Sequence, residues 1–145
     1  MNQKIPVTRP RREPSGPARE FTVQLSSTRR GARLGRLLAT EQLRSWGLLF
    51  DAAVQVVAEL TANAALHGRV SDRDFRLRMV AWDRLLRVEV TDTRGDRLPA
   101  REHRAAPDAE SGRGLVVVEL LATRWGTRSG PPPCKTVWAE VELPY

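Results

Sequence analysis

Four polar residues recur at every fourth position of the otherwise apolar segment DAAVQVVAELTANAALHG (51–68), namely Gln55, Glu59, Asn63 and His67. A spacing of four predicts one narrow polar stripe along a helix. An unpaired carboxylate in a protein core is costly, so this stripe needs either a polar cavity or contact with solvent. Spacing alone leaves both interpretations open.

Two further segments carry residues that could bind a small ligand. Asp92 follows the alternating segment LLRVEV, where its carboxylate could accept a hydrogen bond from a ligand amino group or begin an Asx turn. The run SGRG at 111–114 precedes the apolar segment LVVV. Glycines at a helix start leave backbone N–H groups open to an anion, and Arg113 would reinforce a phosphate contact. The alternative for this run is a flexible turn.

The elements that position these residues follow from hydrophobic spacing. Alternation predicts strands over 21–25, 75–82, 85–90 and 137–143, a two-residue hairpin at 83–84, and a short strand over 125–129. Helical spacing predicts helices from a cap among Ser26–Thr28 to about Trp46, over 51–68, and from Gly114 to about Arg124. In the first helix the apolar positions are Leu34, Leu37, Leu38 and Leu43. The order β-α-α-β-β-loop-α-β-β predicts an α+β two-layer sandwich rather than a doubly wound parallel sheet.

Length and composition limit the class of protein. The chain has 145 residues and is 41% hydrophobic, enough for one domain with an ordinary core. Its one cysteine, Cys134, excludes an intramolecular disulfide framework and a multi-cysteine metal site. No apolar run approaches the roughly 18 residues of a membrane span, and the first residues lack a secretory signal. A cytoplasmic location is therefore expected.

The net charge of +7 raises nucleic acid as a partner. However, residues 1–20 hold five basic and two acidic residues, and the remaining excess is scattered without interleaved aromatic residues. Nucleic acid is therefore not expected as the main partner. Residues 1–19 contain four of the ten prolines and are predicted to be a disordered basic tail before a domain at 20–145. The polar stretch 93–111 is predicted to be a mobile loop.

Taken together, ELTANAALHG, VTDTRGDRLP and GRGLVVVELLATRWG resemble the three nucleotide-binding boxes of the GHKL ATPase/kinase superfamily. With KTVWAEVEL, they resemble more closely the stand-alone RsbW/SpoIIAB anti-sigma-factor serine kinases. The resemblance covers residues 20–145, and ELxxNAxxHG is its specific part. It implies a mixed, mostly antiparallel sheet that about three helices cover on one face.

The resemblance also implies an ATP·Mg²⁺ site and the roles of its residues. Glu59 matches the candidate general base, Asn63 the magnesium ligand, and Asp92 the carboxylate that binds the adenine amino group. The phosphates would lie between Gly112 and Gly114 with Arg113 beside them, and 93–111 would form a lid over ATP.

Thr136 resembles a family threonine near the adenine end of the site. The second box departs from the family pattern, since Arg94 stands where a glycine is usual and Gly95 follows one position late. Cys134 also stands where a glycine is often seen.

The implied function is that of an ATP-binding regulatory protein that phosphorylates a serine of an antagonist protein. Its partners would be a sigma factor, that antagonist, or both, and relatives of this type are often homodimers. One alternative is an ATP-binding interaction module without phosphoryl transfer. The other is a basic nucleic-acid-binding domain.

Overall fold

The computed structural model of the protein describes residues 18–67, 74–92, 109–129 and 135–144. The elements follow the predicted order, and their bounds are β1 Arg19–Ser26, α1 Arg29–Trp46, α2 Asp51–His67, β2 Asp74–Trp82, β3 Leu85–Asp92, α3 Ala109–Leu121, β4 Arg124–Ser129 and β5 Lys135–Glu142. The predicted tail at 1–17 lies outside the described residues.

The five strands form one sheet in the order β1-β2-β3-β5-β4, and every neighbouring pair is antiparallel. The hairpin between β2 and β3 turns at Asp83 and Arg84 as predicted. Asp83 adopts a left-handed backbone with φ of 55°, a conformation that aspartate tolerates better than most residues. The sheet therefore places β3 at its centre, next to β5.

One face of the sheet is apolar and carries the helices. Alternate residues of the central strands are buried there, among them Phe75, Leu77, Met79, Leu86, Val88, Val90, Ala139 and Val141. Helix α2 packs on this face through Ala53, Val56, Val57 and Leu60, and it contacts α1 and α3 as well as β3. This arrangement confirms the predicted α+β sandwich, with three helices in the described part of the chain.

Helix α1 begins and ends as predicted but buries a different side. The Thr28 hydroxyl accepts a hydrogen bond from the Gly31 N–H at 2.9 Å, and Gly47 ends the helix with φ of 76°. The buried row is Gly31, Gly35, Ala39 and Leu43, whereas Leu34, Leu37 and Leu38 are 47%, 57% and 36% exposed. Of the four predicted apolar positions, only Leu43 faces the core.

The physical reason is close packing of α1 against β1. A Cβ atom on Gly31 would clash with the carbonyl oxygen of Ser26, and one on Gly35 would lie 2.7 Å from Leu25 Cδ1. Small residues thus let the helix approach the strand, and the larger leucines are left on the outside.

The other face of the sheet carries a chain of alternating charges, which we call the charge ladder. Its ion pairs are Glu20–Arg78 at 2.7 Å, Arg78–Glu89 at 3.2 Å, Arg87–Glu89 at 3.9 Å, Arg87–Glu140 at 2.7 Å and Arg124–Glu140 at 3.6 Å. Arg87, Glu89 and Glu140 are buried. Burial lowers the pKa of Arg78, but its hydrogen bond to Glu20 and the charge of Glu89 outweigh burial and raise it.

Candidate functional site

Helix α2 turns two different sides toward its neighbours. The buried Thr61 hydroxyl donates to the Val57 carbonyl at 2.8 Å, and the Thr61 methyl group lies where a Cβ on Gly35 of α1 would meet it. Asn63 is two positions further on, which is about 200° around a helix. Asn63 therefore lies on the flank of α2 away from α1, on the side where α3 packs.

Glu59 lies one turn before Asn63 on the same flank, and both side chains are half-buried. The exposed Gln55 amide Nε2 donates a hydrogen bond to Glu59 Oε2 at 3.1 Å. The polar stripe thus lies at the boundary between core and solvent, with its carboxylate partnered within the stripe. The structure selects neither of the two interpretations that spacing left open, because Gln55 is exposed whereas Glu59 and Asn63 are half-buried. Helix α2 ends at His67, the last member of the stripe.

Asp92 is the last residue of β3 and is half-buried. Side chains alternate between the faces of a strand, so Asp92 shares the helix-covered face with Val88 and Val90. Glu59, Asn63 and Asp92 therefore lie on the same side of the sheet. Carboxylate and amide oxygens are groups that can bind a cation or the amino groups of a ligand.

Helix α3 begins at Ala109, five residues before the predicted start at Gly114, and ends at Leu121. Gly112, Arg113 and Gly114 thus belong to its first two turns instead of to a preceding loop. Open backbone N–H groups belong to the first turn of a helix, here 109–111. The position of the helix start was predicted wrongly, since glycines that indicate a turn in the sequence are accommodated within the helix.

Thr136 does not lie on the face that Asp92 occupies. Its hydroxyl is 2.8 Å from that of its cross-strand partner Thr91, and both threonines are buried on the face of the charge ladder. The cross-strand partner of Asp92 is Lys135, an exposed residue on the same face as Asp92. The sequence analysis missed Lys135, although the alternation of Val137, Ala139 and Val141 already assigns Lys135 to their side.

Other predicted features lie outside the described residues or away from the site. Gly95, Arg94 and Cys134 are outside the described ranges, as is the predicted lid except for 109–111.

A hollow of about 310 Å³ is lined by residues of the β2–β3 hairpin and the C-terminal end of β5, at the opposite end of β3 from Asp92. No helix in the described part of the chain is long and apolar enough to cross a membrane.

A scan against models of protein families finds no match to this chain, and a search of curated proteins finds none either. Among solved structures, the chain is similar to the crystal structure of the RsbU and RsbW domains of Rv1364c from Mycobacterium tuberculosis, with 22% sequence identity and a TM-score of 0.59. The similarity covers 86% of this chain and 32% of that one, so the chain spans about a third of its length. The chain therefore shares its fold with part of that structure.

Proposed function

We propose that the chain binds ATP with Mg²⁺ and transfers the γ-phosphoryl group to a serine of a partner protein, the antagonist of a sigma factor. The observation that carries the proposal is the placement of Glu59, Asn63 and Asp92. Two lie on the flank of α2 away from α1 and the third ends β3, all on the helix-covered side of the sheet. The RsbW-like fold supports this assignment.

Asn63 would hold the magnesium ion through its amide oxygen. Within the ranges that the structure describes, no three histidine, cysteine or acidic side chains come together to hold a metal. A site with one neutral protein ligand suits Mg²⁺, which keeps water and phosphate oxygens as its other ligands. When bound, the ion supplies neutralisation of charge on the phosphates.

Glu59 would act as the general base. Its carboxylate accepts the proton of the serine hydroxyl as the hydroxyl oxygen attacks the γ-phosphorus and the bond to ADP breaks. The hydrogen bond from Gln55 limits the rotation of this carboxylate. The spacing of one helical turn would put this base and the metal ligand on one wall of the site.

Asp92 would accept a hydrogen bond from the adenine amino group. The first turn of α3, with Gly112–Gly114 in the following residues, would face the phosphates because open N–H groups and the helix dipole attract anions. The phosphate contact of Arg113 stays a prediction from the sequence, as does a nucleotide-binding role for Gly95 in the second box.

Calorimetry with ATP and ADP, with and without Mg²⁺, tests the nucleotide site. Phosphate transfer from radiolabelled ATP to a co-encoded antagonist tests the reaction. The Glu59→Gln variant removes the carboxylate, whereas Gln55→Ala keeps the carboxylate and removes only its hydrogen bond. We expect nucleotide binding by both variants and loss of transfer by Glu59→Gln. If the wild-type protein binds ATP but transfers no phosphate, the chain is an interaction module. If it binds no nucleotide, the proposal fails.

A further inference from the structure

Asp92 and Lys135 lie side by side at one end of the sheet. Asp92 is the last residue of β3, Lys135 is the first residue of β5, and the two are direct cross-strand partners. The side chains of such partners share a face and start from Cβ atoms about 4.5–5.5 Å apart. Asp92 is half-buried, whereas Lys135 is exposed on a long flexible stem. A ligand that contacts the Asp92 carboxylate therefore comes within reach of the Lys135 ammonium group.

The surroundings of these two residues on the helix-covered face are apolar. The cross-strand partner of Asp92 on β2 is Phe75, which is fully buried. The next pair inward on β3 and β5 is Val90 and Val137, of which Val90 is buried and Val137 half-buried. Of the two cross-strand partners of Asp92, only Lys135 is polar. Apolar side chains beside two polar groups suit a flat ring with one polar edge.

Lysine is rare in this chain. The sequence holds 24 basic residues, of which only Lys4 and Lys135 are lysines. The surface charge is otherwise built from arginine, and Lys135 departs from that pattern beside Asp92. A lysine ammonium is a compact group that donates three hydrogen bonds and accepts none, whereas an ionised carboxylate only accepts. Position 135 thus adds a hydrogen-bond donor next to the acceptor of Asp92.

We propose that Lys135 selects the base in the nucleotide site, by donating a hydrogen bond to N1 of adenine while Asp92 accepts one from the 6-amino group. The inference rests on the proposed function and names the residue that reads the second position of the base. Adenine has a donor at position 6 and an acceptor at position 1, which complement Asp92 and Lys135. Guanine has the reverse, a carbonyl oxygen at position 6 and an N–H at position 1. In the same pose these groups would oppose the carboxylate and the ammonium, so the two residues disfavour GTP.

Calorimetry with ATP and 1-deaza-ATP tests the contact, because the analogue keeps the 6-amino group and replaces N1 by C–H. The Lys135→Met variant removes the ammonium group and keeps a side chain of similar length. The matched control is Arg128→Met, which removes one positive charge from an exposed residue of β4. The cross-strand partner of Arg128 is Thr136, so this control changes the other face of the sheet. Thermal melting of both variants checks that the fold is retained.

We expect the wild-type protein to bind 1-deaza-ATP about tenfold more weakly than ATP, since a hydrogen bond to a charged group is lost. Lys135→Met should bind ATP about tenfold more weakly than the wild type and should no longer distinguish ATP from 1-deaza-ATP. Arg128→Met should bind both nucleotides like the wild type. The proposal is overturned if Lys135→Met keeps the preference for ATP. It is also overturned if the two variants lose ATP affinity equally, because the effect would then be a general attraction of phosphate.

A second measurement on the wild-type protein needs no variant. Acetylation of lysines, read by mass spectrometry with and without saturating ATP and Mg²⁺, compares Lys135 with Lys4 as the internal reference. We expect ATP to protect Lys135 and to leave Lys4 reactive. ATP binding in calorimetry without protection of Lys135 would refute this inference and leave the proposed function standing. A wild-type chain that binds no ATP would overturn the proposed function, and this inference with it.

Discussion

Replacing Glu140 with alanine should remove one side of the buried pair at the centre of the charge ladder. Arg87 donates two hydrogen bonds to Glu140 Oε2, from Nε at 3.0 Å and from Nη2 at 2.7 Å, and both side chains are almost fully buried. A hydrogen bond to a charged group contributes about 1.5–3 kcal/mol, and breaking one side of a buried pair costs about 3–5 kcal/mol. The arginine would lose both of these hydrogen bonds.

Two remaining contacts moderate this loss. Arg87 still lies 3.9 Å from Glu89, and its guanidinium stacks over the Trp82 ring at 5.1 Å. We therefore expect a loss near the lower bound, about 3 kcal/mol in the free energy of unfolding. That is a large part of the stability of a domain of this size.

Urea denaturation followed by tryptophan fluorescence measures the change. The matched control is Glu41→Ala, since Glu41 and its partner Arg44 are 72% and 58% exposed. An exposed pair contributes about 0–1 kcal/mol, so this control should unfold close to the wild type. The paired replacement of Arg87 by methionine and Glu140 by leucine should recover most of the loss, because no buried charge is left alone. Equal destabilisation by Glu140→Ala and Glu41→Ala would refute the reasoning.

Four further predictions concern the caps, the close packing and the site. Thr28→Ala removes the N-cap of α1 and should cost about 1 kcal/mol by denaturation, while Thr28→Ser should retain most of the stability. Gly31→Ala should destabilise the fold despite alanine's higher helix propensity, because the added Cβ would clash with the backbone carbonyl of Ser26. A variant with wild-type stability and unchanged spectra would contradict the close packing of α1 on β1. Asn63→Ala should abolish the magnesium dependence of ATP binding in calorimetry and leave the melting temperature nearly unchanged, since the Asn63 side chain is only half-buried. Thr136→Val should lower stability by about 1–3 kcal/mol by leaving the Thr91 hydroxyl unpaired, with ATP affinity unaltered.

The order of elements was predictable because their signals are local. Thr28 and Gly47 cap α1 by short-range chemistry, and strict alternation in β2, β3 and β5 separates the two faces of the sheet. The same alternation, extended by one residue, assigns Lys135 rather than Thr136 to the face of Asp92.

What the sequence did not predict depends on tertiary packing. The buried side of α1 is formed by Gly31, Gly35 and Ala39, which carry little hydrophobic signal, so spacing favoured the more apolar leucines. The start of α3 was misplaced because Gly112 and Gly114 indicate a turn by propensity, and tertiary contacts override a cost of about 1 kcal/mol for each glycine. In the site, spacing alone does not encode that Glu59 is half-buried, because burial depends on the elements that pack around α2.

Helix α2 packs in the hydrophobic core and also carries the proposed base and metal ligand. This restricts how the domain can respond to a ligand. Val56, Val57 and Leu60 anchor it in the core, only a few residues from Glu59 and Asn63. Sliding or rotating this helix would pull large apolar side chains out of a close-packed interior, at a cost comparable to unfolding. We therefore expect α2, with the proposed base and metal ligand, to stay in place when a ligand binds. A signal that depends on nucleotide would then be transmitted by segments that move relative to α2.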